Sequence, residues 1–402
     1  MKKYLKLPPG INLAKSNIFS VNLPYYLLSQ GAGRSLAKEN KPWIVFWGVP
    51  FKNLPMVYAD VAGFVSQTNL CLDYLRREYS GYELLYKPHP NETGEQTMLD
   101  LTGFTILSQK EVSEFFILKN FDKIQQVFST YSSAAMTAYK FGLEAHIFLP
   151  LIEPFLTKAN QEGNREYYKR LPNEFFISDL DHKPEPNYLI IPTMPDLLLQ
   201  SNLTQLLAGQ SSGTVWFILG DPGSLTSVIL LARFVKSLIP SLATGLIIEK
   251  HHRWKMMDLD AVEKFFDRTL IYPRWLASVR PWRVWKQIKT AWALRHAPIA
   301  RNDILMCLNY TSFVENCLLS YFSANRKIAF IKKETLEFCY GVKEPDFFQI
   351  YFSRVGHHFY QKIVQPLLRL YPTVFLEDPV RVANFDRYLM PVNDLYDQVY
   401  VY

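Results

Sequence analysis

Short runs of β-branched and aromatic residues alternate with helical stretches along the first part of the chain. WIVFWGV (43–49), YELLYK (82–87), FTIL (104–107), KIQQVFST (123–130) and HIFLPLI (146–152) read as strands. Between them Asp73–Glu78 and Ser133–Lys140 carry helix formers, and Gly142 suits the C-terminal stop of the second helix. Strands alternating with helices imply a parallel sheet covered by helices, an α/β fold. The polar stretch ISDLDHKPEPN (177–187) reads as a linker. The alternation then resumes with YLIIPTM (188–194), VWFILG (215–220), TGLIIEK (244–250), RTLIYP (268–273), DILMCLNY (303–310) and RKIAFIKK (326–333). A helical pattern near His358–Leu370, a strand TVFLED (373–378) and an aromatic-rich tail without assignment complete the chain. Two Rossmann-like domains are expected, over 1–180 and 187–402. Doubly wound sheets facing one another place a ligand cleft at the carboxyl ends of their strands.

Composition supports this and narrows the partners. At 402 residues and 49% apolar content the chain can build two cores. No signal-peptide pattern and no long uncharged apolar stretch stand in it, so the expected location is cytoplasmic. Cys71, Cys307, Cys317 and Cys339 lack CxxC spacing and read as small hydrophobes. A net charge of +7 favours an anionic partner. Basic residues are spread along the chain without a nucleic-acid-binding motif, so nucleic acid is not the expected partner.

Two local motifs can carry chemistry. Tyr86-Lys87-Pro88-His89-Pro90 ends a predicted strand; the prolines stiffen the backbone, and the histidine and lysine can donate to phosphate or ribose oxygens. A rigid turn with a surface histidine is the plainer reading. Ser129-Thr130-Tyr131-Ser132-Ser133 ends another predicted strand and opens a helix, where hydroxyls and backbone N–H groups can hold a phosphate. An ordinary serine N-cap is the alternative. Both motifs lie at strand ends of one predicted sheet.

Together, KPHP and the following SS pair resemble the HP and S/SS motifs of bacterial sialyltransferases, polysialyltransferases and capsule Kdo transferases. The resemblance implies a GT-B-like fold and binding of the CMP moiety of a CMP-sugar. His89 and Pro90, with Lys87 nearby, would take the nucleotide, and Ser132 and Ser133, beside Tyr131, its phosphate. Those families carry a D/E-D/E-G motif in the other domain. Its counterpart is Asp221-Pro222-Gly223, in which Pro222 replaces an acid and Asp221 could equally cap the next helix. Here the donor motifs come before the acidic one, a permuted order that resembles the retaining β-Kdo transferases of lipopolysaccharide O-antigen synthesis.

The resemblance implies a cytosolic transferase that passes Kdo from CMP-β-Kdo to a glycan, with Asp221 as nucleophile in a double displacement. The acceptor would be a lipopolysaccharide or capsule glycan, lipid-linked. Glu153 is the candidate for activating it, although a first-turn helix acid is an equal reading. His252 and Arg253, in the cluster EKHHR, could hold the sugar carboxylate, or form a solvated loop. Gly31 and Gly33 could admit backbone amides to the donor. CMP is a stable leaving group and no DxD pair ends a strand, so no metal or other cofactor is expected. An inverting sialyltransferase with Asp221 as general base, and a non-catalytic nucleotide-sugar or glycan-binding module, remain as alternatives.

Residues 272–297 hold four tryptophans and six Lys/Arg with no acid. On a helix starting near Pro281, Trp282, Trp285, Ile288 and Trp292 fall on one stripe, with Lys289 inside it. Such a stripe suits peripheral contact with the inner face of an anionic cytoplasmic membrane. Packing of the tryptophans onto the second sheet is the competing expectation.

Overall fold

The computed structural model describes residues 18–30, 41–190 apart from 53, 55 and 170, 194–208, 213–220, 222–250, 254, 259–273, 281–308, 312–331, 363–370 and 396–402. Two compact units divide the chain. Tyr25–Met194 makes up most of the first, and the flanking segments that end at Pro24 and resume at Pro195 make up most of the second.

The N-terminal strand β1 (Ile18–Ser20) belongs to the second unit. The first unit runs α1 (Tyr26–Gln30), β2 (Trp43–Trp47), α2 (Val61–Glu78), β3 (Glu83–Lys87), β4 (Thr105–Ile106), α3 (Ser113–Asn120), β5 (Ile124–Ser129), α4 (Ser133–Lys140), β6 (Glu144–Ile147), α5 (Leu149–Ile152) and α6 (Lys158–Tyr168). Its sheet has the order β4-β3-β2-β5-β6 with every pair parallel. Counted by position in the chain, that order is third, second, first, fourth, fifth, which is Rossmann-like. β2 is buried from Ile44 to Trp47 because both of its faces are covered, which is why it reads as a continuous apolar run. Trp43 and Trp47 meet Phe116 of α3 on one face, while Phe46 meets Tyr86 and Phe148 on the other. Asp60 caps α2 by accepting from Gly63 N at 2.9 Å. α4 stops as expected: Gly142 takes φ 82°, and Leu143 N donates back to Ala138 O at 3.0 Å.

The second unit continues with α7 (Leu197–Leu207), β7 (Thr214–Leu219), α8 (Leu225–Leu238), β8 (Ala243–Lys250), α9 (Leu259–Glu263), β9 (Arg268–Pro273), α10 (Pro281–Arg295), β10 (Ile304–Cys307), α11 (Phe313–Tyr321), β11 (Arg326–Ile331) and β12 (Gln398–Val401). Its parallel sheet has the order β9-β8-β7-β10-β11-β12-β1. That is again third, second, first, fourth, fifth, sixth, with β1 added at the edge beside β12. β7 is buried along its whole length.

Four expectations differ from the structure. In HIFLPLI only the first residues continue a strand, and α5 begins at Leu149 because Pro150 has no N–H to extend the ladder. Residues 188–190, the described start of YLIIPTM, form no strand of the second sheet: Tyr188 and Ile190 are exposed and without regular structure, and β7 is already flanked by β8 and β10. The unassigned tail supplies β12, which pairs with β1 and so ties the start of the chain to the second unit rather than to a 1–180 domain. The 177–187 stretch packs on the first unit, where Ile177 N donates to Ile147 O at 2.9 Å and Asn187 Oδ1 accepts from Ala145 N at 3.1 Å. TVFLED lies outside the described residues.

Candidate functional site

Strand order alone marks one place in the first unit. The chain reverses its direction of growth between β2 and β5, and open parallel sheets bind ligands beyond the carboxyl ends of strands at such a point. Trp47, the last residue of β2, is level with Lys87 at the end of β3 and with Ser129 at the end of β5. β3 and β5 flank β2, so the two sequence motifs leave the sheet side by side, about 10 Å apart at the usual strand spacing.

Lys87 is only 2% exposed, and among the described residues its ammonium donates one long bond, 3.4 Å to Pro88 O. Burial pushes it down to about 8, against the opposing pull of Glu111, Glu92 and Glu114. Asn91 N donates to His89 Nδ1 at 3.0 Å, so the proton of the neutral ring sits on Nε2, which becomes the donor. The loop that carries His89 and Pro90 is held from within. Glu92 accepts from His89 N at 2.7 Å and from Tyr86 OH at 3.1 Å. Gln109 Nε2 donates to the carbonyls of His89, Pro90 and Glu92 at 3.0, 3.2 and 2.7 Å. Buried Glu95 takes the N–H groups of Lys52, at 3.2 Å, and Thr93. Burial outweighs these bonds at Glu92 and raises its carboxyl to about 7. Gly48 permits the arrangement, because a Cβ there would run into Glu92 Oε1 and the Tyr86 hydroxyl.

At the other motif, Ser129 Oγ donates to Trp47 O at 3.0 Å and accepts from Ser132 N at 2.9 Å, stitching β2 to the start of α4. Ser132 is the N-cap, and its Oγ accepts from Ala134 N at 3.2 Å. Ser133 is exposed in the first turn. Tyr58 OH donates to Pro50 O at 3.0 Å and accepts from the Tyr131 hydroxyl, which braces the loop after β2 against the loop after β5. Burial raises the Tyr131 phenol to about 12. Two buried polar atoms near these strand ends, Trp47 Nε1 and Thr130 Oγ1, meet no hydrogen-bond partner among the described residues. Buried polar groups are as a rule hydrogen-bonded to protein or to ordered water.

No protein-family model and no curated protein matches the chain. Among solved structures it is similar to Arabidopsis thaliana UGT89C1 complexed with UDP-L-rhamnose, at 10% identity over 74% of this chain and 81% of that one, with a TM-score of 0.17. That likeness is too low to bear on fold or function.

The remaining candidates are placed as follows. Glu153, just after α5, pairs with Arg165 of α6 through both oxygens, at 2.6 and 2.9 Å, and so acts as an anchor between these helices. Asp221, His252, Arg253, Gly31 and Gly33 lie outside the described residues. Next to Asp221, Gly220 O accepts from the buried Trp254 Nε1 at 2.9 Å, and Pro222–Ser224 forms a 3₁₀ turn into α8. Among the described residues no group of three His, Cys, Asp or Glu is placed to hold a metal ion. Nor is any helix among them long and apolar enough to cross a membrane.

Several groups escaped the sequence reading. Glu92 and Gln109, which shape the KPHP loop, are recognisable only once the loop is folded, Glu92 bonding within it to Tyr86 and His89 and Gln109 reaching it from beyond β4. In the second unit, Glu249 is buried near the end of β8 and Glu315 is buried in the first turn of α11 after β10, on either side of β7. Glu315 accepts from Tyr396 OH at 2.9 Å and closes a capping box with Ser312. Burial raises its carboxyl to about 8. The pattern Ser312-x-x-Glu315 was a legible signal for this cap.

Proposed function

We propose that the chain is a glycosyltransferase whose first unit binds the nucleotide of a CMP-activated 2-keto acid sugar, with CMP-Kdo as donor. The reading is supported above all by one observation: the Lys87–Pro90 loop and the Ser132–Ser133 helix start emerge from strands on the two sides of β2, at the switch point of a Rossmann-like sheet. Lys87 supplies a desolvated positive charge, His89 an Nε2–H donor, and the start of α4 its N–H groups and positive dipole end. These groups suit a phosphate that gains charge as the glycosidic bond breaks.

In this reading Asp221, which follows β7 of the second unit, supplies the nucleophile. Its carboxylate oxygen attacks C2 of Kdo, the C2–O bond to phosphorus breaks, and CMP leaves with the electron pair. The acceptor hydroxyl then attacks C2, Asp221 departs, and two inversions give net retention. Glu153 takes the hydroxyl proton once Arg165 releases one of its oxygens. The donor unit largely precedes the unit with Asp221 in the chain, as in the permuted β-Kdo transferases, and the acceptor is a lipopolysaccharide or capsule glycan.

The test is transfer from CMP-Kdo generated in situ, with CMP-sialic acid in parallel, to lipid-like glycoside acceptors. Kdo transfer with retained configuration, abolished by Asp221→Ala while CMP binding persists, is the expected result. Consumption of CMP-sialic acid alone would reassign the donor, and failure of CMP to bind would remove the reading.

A further inference from the structure

Helix α10 has two faces of opposite character. Ala291 and Leu294 belong to the core of the second unit, Val284 packs against it, and Gln287 and Thr290 are buried on the same side. The 3.6-residue repeat puts Trp282, Trp285, Lys289, Trp292 and His296 on the opposite arc. There Trp282, Trp285 and Trp292 are 56%, 58% and 67% exposed. Lys289 Nζ lies 5.6 Å from the Trp285 ring centre, and the Trp292 and His296 rings meet at 4.5 Å. Lys286 borders this arc, and Arg283 and Arg295 are exposed beyond it. The inward face already anchors the helix, so its fold does not require the tryptophans, and a row of exposed indoles marks a contact surface.

The chemistry of the face selects its occupant. Indoles favour the boundary between headgroups and acyl chains, and an acid-free run of lysines and arginines favours anionic headgroups. A second copy of the chain would bring two such basic faces together with no acid between them. A single-stranded nucleic acid would use a basic groove that follows its backbone, whereas Lys286 and Lys289 lie on a single helix. We propose that α10 docks the protein on an anionic lipid bilayer, lying parallel to the surface with Trp282, Trp285 and Trp292 at headgroup depth. The inference stands on α10 alone and does not depend on the donor reading.

The full chain can be co-sedimented with vesicles of phosphatidylcholine, with or without phosphatidylglycerol. Partitioning should be about tenfold stronger on the anionic vesicles and should weaken with salt. Replacing Trp282, Trp285 and Trp292 together by serine should lower it about tenfold again, while circular dichroism and the thermal midpoint stay unchanged. Lys286→Gln with Lys289→Gln should reduce the preference for anionic lipid and leave residual binding to neutral vesicles intact. Equal sedimentation of wild type and the tryptophan variant, or no sedimentation of wild type, overturns the proposal. So does a dimer or an RNA complex that forms without lipid and is lost in the tryptophan variant.

Discussion

Lys87 carries an ammonium that burial holds at about 8 rather than the ordinary 10.5. At about 1.4 kcal/mol per pH unit, its charged form costs the folded state about 3 kcal/mol at neutral pH. Because the folded value lies below the ordinary one, the cost is present in full below pH 8 and fades as pH rises towards 10.5. Methionine has a similar length and no charge, so Lys87→Met should stabilise the protein at pH 7 by about 1–3 kcal/mol, or about 2–4 °C in thermal midpoint per kcal/mol. The gain should shrink towards zero by about pH 10. The same change removes the positive charge offered to a phosphate, a charge-assisted contact of about 1.5–3 kcal/mol, so CMP should bind about 10- to 100-fold more weakly. Thermal denaturation at the two pH values and calorimetric titration with CMP measure both halves. A variant that loses stability equally at pH 7 and pH 10 would show that the ammonium is satisfied within the fold, and the reasoning would fail.

Four further outcomes follow from the same loops. The carboxyl of Glu92 is raised from the ordinary 4.5 to about 7, so its buried charge costs nothing below pH 4.5 and its full amount above pH 7; Glu92→Gln should gain on wild type across that window in pH-dependent denaturation. Wild-type affinity for CMP, measured by titration calorimetry, should fall as pH rises through 7–8, where Glu92 gains and Lys87 loses charge, and the variant should keep only the upper step. Ser132→Ala removes the cap on α4 and should cost about 1 kcal/mol in urea unfolding and weaken CMP binding, whereas Ser132→Thr should restore most of both. Gly48→Ala forces a Cβ against Glu92 and Tyr86, so it should disturb the KPHP loop, lowering the thermal midpoint and CMP affinity together.

Much of the candidate site was legible because its signals are local. A strand that ends in Lys87-Pro88-His89-Pro90 and a Ser132 cap with Gly142 as the stop need only neighbouring residues to be recognised. What holds those loops was not legible. Gln109 reaches the carbonyls of His89 and Pro90 from beyond β4, and the orphaned atoms of Trp47 and Thr130 appear only once three strands end level with each other.

By itself, the sequence determined the α/β class, most strands of both sheets and the two motifs, because apolar period, prolines and caps act over a few residues. Tertiary structure decided the rest. It set the strand orders, and it gave QVYV a place as β12 and IFS a place as β1 at a sheet edge, where short strands acquire partners that no local pattern specifies. It left residues 188–190 outside the sheet, and it turned the tryptophans of α10 outward by offering the core Ala291 and Leu294 instead. Periodicity assigns residues to a face; only packing chooses which face is buried.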